Sequence, residues 1–310
     1  MDISETSFSN TDLYKRKISL IDKILHHKGE LPYSVKCLYH GIPISFNFNT
    51  KKETYPLQNY LPPKWKIYKS KNFLNINCYS PSEFSFSPDE WSNEPDPGCH
   101  IIKINNAEIA IQRDFVGIRH DSSNIDLIFN NSINDGFYNS LRWLLPRRML
   151  EQKKIVLHSS CFIGLDGLAY FFLGPSGAGK STLVSLAKNR VILGDDMNIL
   201  SIKDNNYLAE AGALGGIINN TELLNQSFPV GGFFWLHKNN RCQKQQLLKS
   251  TASLKFVASC SNLFWNERDK YIENCIMNYT TKIVNTYPFY NLEFTKTDEF
   301  LEYVDGKYKN

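Results

Sequence analysis

The chain has 310 residues, 42% of them hydrophobic, enough to build the core of one large domain or of two ordinary ones. Lys and Arg number 35 against 31 Asp and Glu, a net charge of only +4, and the densest basic spots, Lys51-Lys52 and Arg147-Arg148, are too short for a nucleic-acid footprint. Seven cysteines without a C-x-x-C pair and an opening without a basic and apolar leader point to a reducing, cytoplasmic setting, and no apolar run approaches the roughly 18 to 20 residues that cross a bilayer, so neither nucleic acid nor membrane is an expected partner.

The first 30 residues are polar and read as a frayed arm with a short helix, because only Leu20, Ile21, Ile24 and Leu25 fall at helical spacing. From Tyr33 to Phe129 short runs follow one another with aromatic or period-two character. They are Ile44 to Phe48, Trp65 to Tyr68, Phe73 to Tyr79, Ile101 to Ile104, Ala107 to Ile111 and Ile125 to Phe129, with Asn105-Asn106 as a turn. Residues 1–135 are thus expected to form a β-rich N-terminal domain for recognition or assembly. Within it, Pro81, Pro88, Pro95 and Pro97 cannot continue a central strand and predict a long surface loop over 80–98. Leu141, Leu144, Leu145 and Met149 form a helical stripe over Phe137 to Glu151, with Pro146 breaking or kinking it.

A second domain, 136–310, continues with Ile155 to Ile163, an Asp166-Gly167 hairpin turn and the apolar run Leu168 to Leu173. That run leads into Gly174-Pro175-Ser176-Gly177-Ala178-Gly179-Lys180-Ser181-Thr182, which fits G-x-x-x-x-G-K-[ST]. A helix is expected over Thr182 to Arg190, then a strand Val191 to Leu193 ending in Gly194-Asp195-Asp196. Further strands at Phe233 to Leu236 and Asn291 to Phe294 and a helix at Thr297 to Val304 complete a mixed α/β nucleotide domain.

The order strand, glycine loop, helix gives the motif its chemistry. Glycines let successive backbone N–H groups curl around a triphosphate, Lys180 brings a charge to the β and γ phosphates, and the Ser181 hydroxyl can ligate Mg²⁺, so ATP or GTP is the expected ligand. Asp195-Asp196 stands at a strand end, where open α/β sheets collect ligand-binding side chains; one carboxylate can hold Mg²⁺ and the other can orient or deprotonate a hydroxyl. Two adjacent acids also make ordinary turns, and it is the phosphate loop beside them that favours the functional reading. Zinc motifs, the H-R-D and D-F-G set of protein kinases and an L-S-G-G-Q signature are all missing.

With Leu157-His158-Ser159-Ser160 ahead of the hairpin, then the loop, then Leu193-Gly194-Asp195-Asp196, the chain resembles the HPr kinase/phosphorylase family, whose phosphate loop lies in a fold similar to that of ATP-dependent phosphoenolpyruvate carboxykinase. The resemblance implies Asp195 as the catalytic carboxylate, Asp196 as an aid to Mg²⁺ or to His158, and His158 beside the loop, where a satisfied structural histidine is the alternative. Glu210-Ala-Gly-Ala-Leu-Gly-Gly-Ile-Ile218 lacks the arginine of the corresponding bacterial segment, which weakens phosphorylase activity and HPr as a substrate and leaves Glu210 as a candidate metal-site acid. The divergent branch containing lasso-peptide serine kinases and free serine kinases is more similar. It implies an ATP- and Mg²⁺-dependent kinase acting on a hydroxyl, a peptide or protein serine first, with a homo-oligomer among its assemblies. A kinase for a small metabolite such as free serine or a sugar, and a non-catalytic nucleotide-dependent binding module, are the alternatives.

Overall fold

The structure, a computed structural model, describes residues 12–27, 29–67, 69–70, 72–86, 99–104, 107–130, 136–187, 189–204, 206–211, 221–260 and 269–306. They form two compact units, the first running to Leu144 and the second starting at Leu145, so the division falls inside a helix, α3 (Tyr138–Glu151). Pro146 lies within that helix without ending it. Proline removes one backbone N–H, and a turn packed through Leu141, Leu145 and Met149, each fully buried, tolerates the loss.

The first unit is built on a seven-stranded sheet ordered β1 (Tyr33–Tyr39), β2 (Ile42–Phe48), β3 (Leu74–Tyr79), β7 (Asn124–Phe129), β6 (Phe115–Arg119), β5 (Ala107–Ile111) and β4 (His100–Ile104). Strands β2, β3 and β7 run parallel and the other neighbours antiparallel. Period-two alternation separates the faces of β2: Ile44, Phe46 and Phe48 are buried, while Asn47 faces a polar ladder. Its amide donates to Asn77 Oδ1 at 3.0 Å, and the Asn77 amide donates to Asp126 Oδ1 at 2.9 Å, across three in-register strands.

The short helix expected in the N-terminal segment is present, and from Asp12 on it is docked, not frayed. Helix α1 (Asp12–His26) presses Leu20, Ile21 and Ile24 against Ile109, Ile111, Val116 and Ile118, and the fully buried Lys17 ammonium donates to the backbone oxygens of Gln112 and Arg113 at 3.0 and 3.1 Å. The expected strand from Trp65 is absent over Trp65 to Ile67, and Tyr68 lies outside the described residues. Pro62 and Pro63 set a short 3-10 turn, Pro63–Trp65, that buries Trp65, and Lys66 makes only an isolated bridge to Cys37. A further helix, α2 (Lys51–Tyr60), has no apolar period to announce it and carries Pro56 inside. The proline loop begins as a 3-10 turn, Pro81–Phe84, with Phe84 and Phe86 buried; residues 87–98 and the Asn105-Asn106 turn lie outside the described residues.

In the second unit two long strands, β8 (Lys154–Ile163) and β13 (Ser227–Lys238), organise the sheet. Pairing runs from β8 to β11 (Met197–Lys203), β12 (Asn206–Glu210), β13 and β9 (Ala169–Leu173) and returns to β8. Outside this ring β10 (Val191–Gly194) pairs with β8, and β15 (Phe289–Phe294) joins β13 to β14 (Gln243–Gln246). The Asp166-Gly167 hairpin joins β8 to β9 as expected, with Gly167 at φ +79°.

Consecutive aromatic pairs explain how both faces are filled. Phe171-Phe172, Phe233-Phe234 and Phe289-Tyr290 stand in register on β9, β13 and β15, so alternate residues build one ladder per face. On one face Phe171, Phe233 and Phe289 stack at 5.3 and 4.5 Å under α5 (Lys249–Ser259) and α6 (Lys270–Thr286). On the other, Phe172, Phe234 and Tyr290 stack at 5.3 Å under α4 (Lys180–Leu186) and α7 (Phe300–Val304). Both last-named helices are shorter than their sequence pattern predicts. Helix α4 stops where Ala187 leaves helical geometry, and the closing helix begins only at Phe300.

Candidate active site

The glycine loop occupies the turn between β9 and α4, and its glycines are needed by geometry: a Cβ on Gly174 would lie 2.8 Å from Ala178 Cβ. Gly177 has φ +77° and Gly179 φ +99°, a region that other residues enter only with strain. A Cβ on Gly179 would also lie 2.7 Å from Phe294 Cζ and 3.3 Å from Lys238 Cε, so the end of the sheet closes directly on the loop. Lys180 is 7% exposed, and its ammonium donates to the carbonyls of Gly174 at 2.9 Å and Pro175 at 3.1 Å. The Ala178 N–H closes the base of the loop on Pro175 O at 3.1 Å.

The acidic pair lies between two collinear strands. Gly194 of β10 pairs with Cys161 and Met197 of β11 pairs with His158, so Asp195-Asp196 interrupts one edge of β8 alongside Ser159-Ser160. The register slips between Ile192 and Gly194, a bulge of the kind that re-aims side chains. Three bonds pin the interruption: Ser159 N–H donates to Asp196 O at 2.8 Å, and the buried Asn198 amide donates to Ser159 O at 2.5 Å and to Gly194 O at 3.4 Å. Asp195 is 3% exposed, whereas Asp196 and His158 are more open and pair, Nε2 to Oδ1, at 3.3 Å. Burial raises the Cys161 thiol well above its usual range, so the strand edge facing Gly194 adds no charge.

His158, Ser176, Gly177, Gly179, Lys180, Ser181, Thr182, Asp195 and Asp196 line a single open cleft of about 260 Å³. Three separate segments, His158, the glycine loop and the acidic pair, therefore meet there. Gly174, Pro175 and Ala178 of the loop are not among the lining residues. Glu210 is not among the lining residues; it stands on β12 in an ion pair with Lys154, Oε1 to Nζ 2.9 Å, and the segment 212–218 that follows lies outside the described residues. Sequence reasoning also missed a lining residue, Lys238, because nothing near the end of β13 resembles a motif.

The oxygen donors at the cleft, the Ser181 hydroxyl and the two carboxylates, suit a hard divalent cation. Among the described residues no three His, Cys, Asp or Glu side chains gather closely enough to cage a metal by themselves. Mg²⁺ is a cation commonly held through one or two protein oxygens and completed by phosphates and water. No helix among the described residues is long and apolar enough to cross a membrane.

No protein-family profile matches the chain. Among curated proteins it is similar to the phosphoenolpyruvate carboxykinase (ATP) of Christiangramia forsetii, 28% identical over 213 residues, covering 67% of this chain and 37% of that enzyme. The corresponding enzyme of Flavobacterium johnsoniae is 30% identical over 94 residues, covering 30% of this chain and 17% of its own. Phosphoenolpyruvate carboxykinase (ATP) 1 of Arabidopsis thaliana is 41% identical over 61 residues, 20% of this chain and 8% of that one. The chain thus spans little more than a third, or less, of the relatives it matches. A solved HPr(Ser) kinase/phosphatase from Coxiella burnetii aligns with 49% of this chain and 91% of its own at 9% identity and a TM-score of 0.28, a superposition too loose to carry an argument. The motifs point to a fold similar to that of ATP-dependent phosphoenolpyruvate carboxykinase, and the sequence similarities are to enzymes of that name; the two-sheet α/β architecture is of the expected class.

Proposed function

We propose that the chain is an ATP- and Mg²⁺-dependent phosphotransferase that moves the γ-phosphoryl group to a hydroxyl, with a serine of a peptide or protein as acceptor. The observation that carries this reading is the meeting of the glycine loop, Lys180, Asp195 and Asp196 in one cleft. Phosphoryl transfer asks a protein mainly for placement and charge neutralisation. Lys180 would leave its carbonyls to hold the β and γ phosphates, and loop amides would take the remaining oxygens. Asp195 would orient the acceptor and take its proton as the new O–P bond forms and the bond from γ-phosphorus to the ADP oxygen breaks. His158 would hold Asp196. Bound through Ser181 and Asp196, Mg²⁺ would supply charge neutralisation on the phosphates.

A small-molecule acceptor is the second reading, favoured by relatives named for phosphoenolpyruvate. Incubating the protein with ATP, Mg²⁺ and a lysate, beside Asp195→Asn, and searching both peptides and metabolites by mass spectrometry separates the two. A new phosphoserine peptide supports the first reading, a phosphorylated metabolite the second, and phosphorylated products equal in both samples contradict both.

A further inference from the structure

Among the described residues lining the cleft, Lys238 is a cation that no motif accounts for. It ends β13, opposite Phe294 of β15 in the parallel register, and the Asn239 N–H bonded to Phe294 O at 3.0 Å fixes the chain where it leaves the sheet. Its Cε lies against the loop at Gly179, close enough that a methyl group there would crowd it at 3.3 Å. The side chain is therefore leaning along the phosphate loop while its residue remains exposed to solvent. No carboxylate pairs with its ammonium among the described residues.

Charge balance gives this placement a use. Asp195 and Asp196 bring two carboxylates to a cleft in which Lys180 is the motif's single permanent cation, and Lys180 is largely buried under the loop. A polyphosphate entering that cleft would add its own negative charges to those of the two carboxylates, more than Lys180 and a bound Mg²⁺ together offset. We infer that Lys238 is a second phosphate-holding cation, a positioning residue that grips the polyphosphate of a nucleoside di- or triphosphate across the loop from a strand distant in sequence. The inference rests on the nucleotide reading proposed above and adds to it which residue sets affinity for the phosphate chain. The Gly179 contact makes the two positions interdependent, since bulk at 179 would push the lysine off the loop.

The test is displacement of a fluorescent ATP analogue by ATP, ADP and AMP, measured at low and high salt for the unmodified protein, Lys238→Gln and Lys238→Arg, with thermal unfolding recorded to show that each variant is folded. Loss of one exposed charge-assisted contact is expected to weaken ATP and ADP by about tenfold in Lys238→Gln, to leave AMP within about twofold, and to flatten the salt dependence. Lys238→Arg should keep most of the affinity. Unchanged ATP and ADP affinity in a folded Lys238→Gln protein overturns the inference alone, and a loss confined to the acceptor's KM overturns it by assigning the lysine to the acceptor. Failure of the unmodified protein to bind ATP overturns the nucleotide reading and this inference with it.

Discussion

At the scale of single residues, the loop's tightest constraint is Gly179, where a positive φ coincides with the close approach of the Phe294 and Lys238 side chains, which leaves no room for a Cβ. Gly179→Ala must either bend the loop or displace the Phe294 ring and Lys238. We predict that it lowers ATP affinity by more than about tenfold while shifting the unfolding midpoint little, because a loop that is only partly buried can bend to take up the strain. A titration of ATP against the variant checks this. Gly177 has the same handedness but open space around it, so Gly177→Ala should be milder. Lys180 and the loop could be read from the sequence because their chemistry is local, carried by adjacent residues in a fixed pattern. Lys238 could not, because its relevance comes from sheet register; nor could the pairing of Glu210 with Lys154, which is decided by β8, β11 and β12 lying side by side.

At the scale of elements, the acidic pair depends on an interrupted strand. Asn198 bridges Ser159 and Gly194, spanning the gap that Asp195 occupies, and it is 1% exposed. Asn198→Ala removes this bridge and leaves two carbonyls with fewer partners, which should cost about 1–3 kcal/mol of stability. If Asp195 is the group that positions the acceptor, the same variant lowers kcat about tenfold and leaves ATP affinity within about twofold. A fall in ATP affinity equal to the fall in kcat would show that the bridge supports the loop instead. The strands flanking this site were legible as short apolar runs bounded by glycine and aspartate. Less so were β11 and β12, whose mixed composition gives no clean alternation, and the docking of α1, whose stripe of Leu20, Ile21 and Ile24 announces a helix but not what it packs on. Tertiary packing decided these elements, and local propensity does not report it.

At the scale of the whole molecule, all seven cysteines are free thiols, and six are buried while Cys275 is partly exposed. We predict that a thiol reagent labels Cys275 rapidly in the native protein and reaches the other six only on unfolding. Burial raises several of these thiols; Cys37 is pushed up to about 12, and Cys161 and Cys260 are also raised. The native state therefore keeps protons that the unfolded chain releases above the ordinary thiol value of 9.0, so this contribution to stability is complete below pH 9 and is lost as pH rises through about 12. Unfolding temperatures measured from pH 8 to 11 should fall steadily beyond pH 9. Such a course follows from two well-filled units, each with its own core. The association of aromatic pairs into two stacked ladders emerges only once β9, β13 and β15 are neighbours. The central claim is that Asp195 acts in transfer while the loop holds nucleotide, and it is tested most directly by measuring ATP affinity and transfer of the labelled γ-phosphoryl group side by side for the unmodified protein and Asp195→Asn. The account predicts ATP affinity within about threefold and transfer reduced by at least about 100-fold. Equal transfer by the two proteins, or intact ATP binding with no transfer by either, would contradict it.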